Sequence, residues 1–144
     1  MPEEISPRLA AIVDALPLRR GMRVLEIGCG PGVAARAVAQ RIGDGFVLAI
    51  DRSPKAIRQA IAGSAAEITE GRLEYRCLAI EDFELGEGEV PFDLAFAIRV
   101  GALDGRHPEA GAVALGRLRK ALRRGGRLFI DGGDPIRTLT LPKK

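Results

Sequence analysis

Cysteine, histidine and long apolar segments are all scarce in this chain of 144 residues. The two cysteines, Cys29 and Cys77, are too few for a disulfide framework and lack the C-x-x-C spacing of metal sites, so we expect both to be small packing residues. We accordingly predict no metal site. The apolar stretch from Ala10 to Leu16 is short and contains Asp14, which fits neither a signal peptide nor a membrane span. We therefore expect a cytoplasmic protein.

Internal repeats, low-complexity tracts and evident linkers are also missing. The length is near that of the most common single domain, and a hydrophobic content of 47% is enough for one continuous core. We expect a single domain over residues 1–144.

The net charge of +3 is mild and does not by itself indicate nucleic-acid binding. Basic residues nevertheless cluster towards the carboxyl end of the chain: Arg117, Arg119, Lys120, Arg123, Arg124 and Arg127. Cations suit the carboxyl end of a helix because of the helix dipole, so we favour a solvated helix end. An RNA-facing patch is the alternative interpretation.

Apolar residues alternate between helical and strand-like spacing along the chain. Helices are expected from about Ile5 to Leu16, from about 32 to 42, after Ser53-Pro54 until near Ala66, and from about 109 to 123 before Gly125-Gly126. Strands are expected at 22–27, 46–50, 73–78, 92–98 and 127–131. This order predicts an α/β fold, a doubly wound and mainly parallel sheet of five to six strands with helices on both faces.

The segment that follows the fifth expected strand is short. Residues 136–141 can form at most one short strand, so the fifth strand presents an open edge unless that tail or a partner subunit covers it. We predict a homodimer that uses this edge or nearby apolar surface.

The most informative segment is Val24-Leu25-Glu26-Ile27-Gly28-Cys29-Gly30-Pro31-Gly32. Its apolar first half predicts a buried strand, and its glycines permit a sharp turn into a helix whose first N–H groups are unpaired and suit an anion or carboxylate. Asp51 ends the next strand, where a carboxylate accepts hydrogen bonds from ribose hydroxyls. The segment is therefore typical of a nucleotide-cofactor pocket. It differs from the dinucleotide fingerprint G-x-G-x-x-G because Val33 stands at the third glycine position.

Glu26-x-Gly28-x-Gly30-x-Gly32, with the strand before it, the helix after it and Asp51, resembles the first motif of class I S-adenosylmethionine-dependent methyltransferases. The resemblance covers roughly residues 22–133. It implies S-adenosylmethionine as cofactor and methyl transfer as activity. The short carboxyl end departs from the family pattern, in which a helix and an antiparallel hairpin usually follow the fifth strand.

The resemblance assigns cofactor binding to residues at the ends of the expected strands: Glu26, Gly28, Cys29, Gly30, Gly32, Asp51, Arg52, Ile80, Glu81, Asp82 and Ala97. In this assignment the glycine turn holds the methionine part of the cofactor, with Glu26 near its amino group. Asp51 binds the ribose, and Arg52 stacks on the adenine, where the family often has an apolar residue.

Adenine recognition differs from the common family pattern, because Ala79 stands where many members have aspartate. Recognition then rests on the main chain of Ile80 and on either Glu81 or Asp82. The choice between these two carboxylates is open at this point.

Residues after the fourth strand give the candidates for catalysis. Residues 97–100 lack the Asn-Pro-Pro-Tyr or Asp-Pro-Pro-Tyr signature of members that methylate exocyclic amines, which disfavours that reaction. His107, the only histidine, lies with Asp104 in this loop, and these two are the catalytic candidates, with His107 as a general base. Alternatively, His107 only flanks Pro108 at a helix start. Arg99 is the candidate for binding a carboxylate or phosphate of the substrate.

Three hypotheses follow from these residues. The first is an S-adenosylmethionine-dependent methyltransferase acting on an oxygen or nitrogen of an unidentified acceptor, with a small molecule expected rather than RNA and no membrane involved. The second is a catalytically silent S-adenosylmethionine-binding or partner module, suggested by the missing carboxyl-terminal elements. The third, a nicotinamide-binding oxidoreductase, is disfavoured by Val33.

Overall fold

The computed structural model describes residues 5–101, 103 and 105–142. Its helices are α1 (Pro7–Ala15), α2 (Val33–Arg41), α3 (Pro54–Ala62), α4 (Ala65–Thr69) and α5 (Pro108–Ala121), and a 3-10 turn lies at Ile80–Asp82. Its strands are β1 (Arg23–Ile27), β2 (Phe46–Asp51), β3 (Leu73–Cys77), β4 (Phe92–Ala97), β5 (Leu122–Asp131) and β6 (Ile136–Leu139).

Two helices begin at the serine-proline pairs that predicted them. The Ser6 hydroxyl accepts a hydrogen bond from the Leu9 N–H at 3.2 Å, and the Ser53 hydroxyl accepts one from the Ala56 N–H at 3.2 Å. In each case a proline follows in the first helical turn, where its missing N–H has no intrahelical partner to lose. These caps fix the starts of α1 and α3.

The six strands form one sheet in the order β3-β2-β1-β4-β5-β6. Strands β1 to β5 pair in parallel, and β6 pairs antiparallel with β5. The chain runs outward from β1 to β3 and then returns to β4 on the other side of β1, so the strand order switches between β1 and β4. Ligands of such sheets bind at the carboxyl ends of the strands near this switch.

Helices cover both faces of the sheet, as the sequence predicts. On one face, α1, α2 and α3 pack on side chains such as Val24, Val47 and Phe96. On the other face, α5 and the 3-10 turn pack on side chains such as Leu25 and Leu48. The predicted α/β, doubly wound fold is confirmed.

The boundary between α5 and β5 differs from the prediction. The expected helix end before Gly125-Gly126 is wrong, because α5 ends at Ala121 and β5 begins at Leu122. Leu122 is buried and pairs with Phe92, and the register then shifts before Leu94 pairs with Arg127. The glycine pair therefore lies within an irregular strand and does not terminate a helix.

The helix after Ser53-Pro54 is also shorter than expected, because α3 ends at Ala62 and a separate short helix, α4, follows. Ser64 between them is fully buried, and its hydroxyl lies 2.8 Å from the Tyr75 hydroxyl. This buried hydrogen bond holds the break between the two helices.

The two cysteines, both predicted to be packing residues, differ in their burial. Cys29 is buried, as predicted, whereas Cys77 is exposed at the end of the edge strand β3, so the prediction that it packs is wrong.

Strand β6 covers the β5 edge through pairs from Leu128 with Leu139 to Asp131 with Ile136. The expected open edge of β5 is therefore closed by the tail of the chain itself. No helix among the described residues is long and apolar enough to cross a membrane.

Candidate active site

A cavity of ≈ 580 Å³ lies at the carboxyl ends of β1, β2, β3 and β4, a volume within the usual range for small-ligand sites. Seven of the residues predicted from the sequence line it: Gly28, Asp51, Arg52, Ile80, Glu81, Arg99 and His107. Other predicted residues do not line this cavity: Glu26, Cys29, Gly30, Gly32, Asp82 and Ala97. Asp104 lies outside the described residues.

The turn between β1 and α2 is fastened to the last two residues of β2. The N–H groups of Gly28 and Cys29 both donate to the Ile50 carbonyl, at 2.8 and 3.0 Å. The Gly30 N–H donates to Asp51 Oδ2 at 2.9 Å. These amides of the turn are therefore paired within the protein, and a ligand meets a turn of fixed shape.

The start of α2 keeps the unpaired N–H groups that the sequence predicts for a ligand carboxylate. Gly32 occupies the N-cap with φ of 89° and has no side chain to cap the helix. The first N–H groups of α2, from Val33 onward, have no intrahelical acceptor. The start of α2 can therefore accept a ligand anion, such as a carboxylate, through these N–H groups.

Two glycines of the turn are required by their surroundings. A Cβ at Gly28 would lie 2.7 Å from Val100 Cγ2, and a Cβ at Gly32 would collide with the Tyr75 hydroxyl. A Cβ at Gly30 would meet no heavy atom within 4 Å, so the space beside this residue is open. The turn therefore packs closely against Val100 and Tyr75 at Gly28 and Gly32, and it has open space beside Gly30.

Asp51 is held in place by main-chain donors on both of its carboxylate oxygens. Oδ2 accepts from the Gly30 N–H, and Oδ1 accepts from the Ser53 N–H at 2.9 Å. A carboxylate oxygen has two lone pairs, so each can accept a further hydrogen bond. Asp51 therefore offers oriented acceptors at the cavity wall, as a ribose requires.

Glu26 is buried in β1 beneath the glycine turn, with a relative exposure of 2%. Its Oε1 has no hydrogen-bond partner in the part of the chain that the structure describes. Burial, and then the charge of Asp51, raises the pKa of Glu26 to about 8. A buried carboxyl oxygen without a donor is costly, so this position is suited to a cationic donor supplied by a ligand. Burial likewise raises the pKa of the neighbouring Cys29 thiol, which keeps this thiol protonated.

A partly buried polar cluster behind the turn was not predicted from the sequence. Arg36 Nη1 donates to the Pro31 carbonyl at 3.0 Å and to the Ser64 hydroxyl at 3.1 Å, and Ser64 contacts Tyr75. Burial raises the pKa of Tyr75 to about 12, so its hydroxyl remains neutral. The cluster ties the turn to α3 and β3 through residues far apart in the sequence, which no local pattern indicates.

Among the two carboxylates left open for adenine recognition, Glu81 lines the cavity and Asp82 does not. Both lie in the 3-10 turn that follows β3, and Ile80 beside them is buried. Arg52 lies exposed on the same cavity wall. The structure thus brings Glu81 and Arg52 to one end of the cavity.

The opposite end of the cavity is formed after β4. Arg99 and His107 lie there, together with Arg106, which the sequence places in the same loop without indicating a role. Val100 and Gly101 also line the cavity, and the sequence reasoning missed both. His107 is exposed at the N-cap of α5, and its side chain does not cap the helix. The position of His107 is compatible with both of its predicted roles.

The basic cluster of α5 and β5 lies far from this cavity. It surrounds a second cavity of ≈ 920 Å³ lined by Arg119, Lys120, Arg123 and Arg124, at the end of the sheet where β4 and β5 begin. Arg117 and Arg123 form ion pairs with Glu84 and Asp93, at 2.7 and 2.6 Å. Arg117, Arg119 and Lys120 lie in α5, as the favoured interpretation expects. The interpretation as a helix end is wrong for the other three cations, which lie in β5: Arg123, Arg124 and Arg127.

Residues 24–126 match the family model described as "Methyltransferase domain". The chain belongs to the class I S-adenosylmethionine-dependent methyltransferase family. This family match contains both the glycine turn and Asp51, and it extends to the glycine pair of β5.

Among relatives of this methyltransferase domain, a ubiquinone biosynthesis O-methyltransferase of Xylella fastidiosa is 36% identical over 86% of the chain and 46% of the relative. A protein-L-isoaspartate O-methyltransferase of Methylorubrum populi is 36% identical over 88% of the chain and 52% of the relative. The chain therefore spans about half the length of these curated relatives.

A solved structure with the same fold is an S-adenosylmethionine-dependent methyltransferase of Thiobacillus denitrificans in complex with S-adenosylhomocysteine. The TM-score is 0.68 at 23% identity, and the match covers 90% of this chain and 50% of the other. At this identity the likeness concerns the fold.

The residues present fit the family's cofactor. The unpartnered Oε1 of Glu26 is suited to the ammonium group of a methionine moiety, and the uncapped start of α2 is suited to its carboxylate. The open space beside Gly30 leaves room for a ligand against the main chain. S-adenosylmethionine is thus compatible with the charges and the space around the turn.

Proposed function

We propose that this chain is an S-adenosylmethionine-dependent methyltransferase that acts on an oxygen or nitrogen of a small-molecule methyl acceptor. The observation that carries the proposal is the glycine turn fastened to Asp51, with buried Glu26 beneath it, whose Oε1 has no hydrogen-bond partner among the described residues. When bound, S-adenosylmethionine supplies an electrophilic methyl group on a positively charged sulfur.

The cofactor-binding residues of the proposal each have a stated role. Asp51 accepts hydrogen bonds from the ribose hydroxyls, and Glu26 binds the ammonium group of the methionine part. Arg52 stacks on the adenine, while the Ile80 main chain and Glu81 recognise its edge. The remaining assigned residues shape the main chain around the cofactor without a side-chain bond to it: Gly28, Cys29, Gly30, Gly32 and Ala97.

On the acceptor side, the chain contributes alignment and exclusion of water. Apolar side chains of Ile27, Val100 and Ala110 belong to the cavity wall, and a site poor in water favours displacement at a sulfonium. His107 is the proposed base for a hydroxyl acceptor, with Asp104 as its proposed catalytic partner. A base matters only for acceptors that do not ionise readily.

Calorimetric titration with S-adenosylhomocysteine tests the cofactor part of the proposal. We expect saturable binding at one site per chain, and the absence of binding would overturn the proposal. A catalytically silent S-adenosylmethionine-binding or partner module is the second candidate, because the position of His107, the candidate base, fits a plain helix start equally well. Methylated product in a screen of hydroxyl and amine acceptors would exclude this second candidate.

The two neighbouring carboxylates of the 3-10 turn provide an internal comparison. We expect Glu81→Gln to weaken S-adenosylhomocysteine binding roughly tenfold, because a charged hydrogen-bond acceptor at the cavity wall is lost. Asp82→Asn, the matched control, should leave the dissociation constant unchanged. Equal effects of the two substitutions in calorimetry would contradict the role given to Glu81.

The homodimer remains part of the proposal, although its first argument no longer holds because β6 covers the β5 edge. The outer edge of β6 is now the edge that a second copy would use. Light scattering at micromolar concentration should give twice the monomer mass, and a monomer alone would remove this prediction. A cytoplasmic location also remains a prediction from the sequence.

A further inference from the structure

Arg99 has an unusual backbone conformation at the end of β4. Among the described residues it is the only non-glycine residue with a positive φ, which is 57°. A side chain in this left-handed region costs on the order of 1 kcal/mol, and such conformations persist where the surrounding structure holds them and cluster at functional sites.

Two residues from distant parts of the chain hold Arg99 in this conformation. The Arg99 N–H donates to Asp131 Oδ1 at 2.9 Å, and Arg8 Nη2 donates to Asp131 Oδ2 at 2.9 Å. Partial burial raises the pKa of Asp131, but these hydrogen bonds outweigh burial and hold it below its usual value. Asp131 is therefore charged at neutral pH and bridges α1 to the loop after β4.

Arg99 is one of the residues that line the cavity, and it is exposed. No ion pair of its guanidinium is found within the described part of the chain. Arg106 and His107 line the same cavity, and the carboxylates of its lining, Asp51 and Glu81, follow β2 and β3.

A turn alone does not explain an arginine here, because glycine would adopt the same φ without strain. A guanidinium held at a cavity wall by its own main chain is well suited to a planar or tetrahedral anion, with which it forms paired hydrogen bonds.

We propose that Arg99 binds an anionic group, a carboxylate or a phosphate, of the methyl acceptor, and that Asp131 and Arg8 position Arg99 for this contact. The inference rests on the proposed function, since it places the methyl acceptor at the Arg99 end of the cavity. It adds a specificity for anionic acceptors and gives a role to two residues that lie outside the cavity lining.

The test uses the full chain saturated with S-adenosylhomocysteine and two probes of similar size, phenyl phosphate and neutral benzamide. Wild type should bind phenyl phosphate more tightly than benzamide. Arg99→Gly keeps the left-handed main chain and removes the guanidinium, so it should weaken phenyl phosphate binding at least about tenfold and leave benzamide unchanged. Arg99→Lys should retain part of the affinity.

Arg124→Gly is the matched control, because it removes one exposed cation beside a glycine at the opposite end of the sheet. It should change neither the phenyl phosphate affinity nor the dissociation constant of S-adenosylhomocysteine. A loss in this variant equal to that in Arg99→Gly would show a general charge effect and overturn the inference.

Asp131→Ala tests the positioning role through the sign of its effect. Removing a carboxylate near Arg99 makes the local potential more positive, so electrostatics alone predicts tighter phenyl phosphate binding. Loss of positioning predicts weaker binding, which we expect, with S-adenosylhomocysteine affinity unchanged. Asp131→Asn keeps an oxygen for the Arg99 N–H and should restore most of the loss.

The binding results distinguish a failure of this inference from a failure of the proposed function. If Arg99→Gly binds phenyl phosphate as tightly as wild type does, the inference is wrong and the proposed function stands. The same conclusion follows if wild type binds phenyl phosphate no more tightly than benzamide. If wild type does not bind S-adenosylhomocysteine, the proposed function is wrong and the inference falls with it. Tighter phenyl phosphate binding in Asp131→Ala would refute the positioning role.

Discussion

Replacing Asp51 with alanine should weaken S-adenosylmethionine binding by at least about a hundredfold. The substitution removes the proposed acceptor of the ribose hydroxyls, and it also leaves the N–H groups of Gly30 and Ser53 without their present partner. Each hydrogen bond to a charged group contributes about 1.5–3 kcal/mol, so the loss of two or more exceeds a factor of one hundred. Calorimetric titration of the variant measures this change.

Two further substitutions serve as controls for the Asp51→Ala measurement. Asp51→Asn keeps one acceptor oxygen and should lie between wild type and Asp51→Ala in affinity. Asp82→Ala removes a carboxylate outside the cavity lining and should bind as wild type does. Unchanged affinity in Asp51→Ala would contradict the assignment of the whole nucleoside site.

Glu26→Gln should change how the stability of the ligand-free protein depends on pH. The pKa of Glu26 is raised from 4.5 to about 8 in the folded chain, because burial and the charge of Asp51 disfavour its ionised form. Between these two values the unfolded chain loses this proton and the folded chain keeps it, so the free energy of unfolding falls as pH rises. The slope is about 1.4 kcal/mol per pH unit, or on the order of 5 kcal/mol across the whole interval.

Urea unfolding of wild type and Glu26→Gln at pH 5, 6, 7 and 8 measures this difference. Glutamine does not ionise, so the variant should lose less stability than wild type over this range. Parallel curves for the two proteins would show that Glu26 does not carry the effect.

The same substitution should weaken cofactor binding, because the ammonium group of S-adenosylmethionine would meet a neutral amide instead of a carboxylate. Below pH 8, wild type should release a proton when the cofactor binds, since the buried carboxyl must ionise to form the pair. Calorimetry in buffers of different ionisation enthalpy detects this proton, and Glu26→Gln should not release it.

Local rules were sufficient for many elements of the fold. Serine followed by proline marked the starts of α1 and α3 because the cap and the first helical turn are chemically specific. Glu26, Asp51, Glu81 and Arg99 each lie at or just after the end of an expected strand, and parallel strands end on the same edge of the sheet. Asp51, Glu81 and Arg99 do line one cavity there, whereas Glu26 is buried and does not line it. These inferences needed only neighbouring residues and the strand order.

The wrong prediction at the end of α5, and the contacts that were not predicted, depend on residues that are distant in the sequence. Gly125-Gly126 reads locally as a helix stop, but the pairing of Leu122 with Phe92 extends β5 through it. The contact of Asp131 with Arg8 joins residues 123 positions apart, and no periodic pattern connects them. The pairing of the turn amides likewise depends on the position of β2 beside β1.

The attachment of the glycine turn to β2 has a consequence for ligand affinity. Three consecutive amides of the turn bond to Ile50 and Asp51, so folding itself removes the conformational freedom of this loop. A ligand that arrives later meets a pre-organised surface and loses little further chain entropy on association. Affinity at this turn is then governed by the complementarity of the contacts, with no separate cost of loop closure.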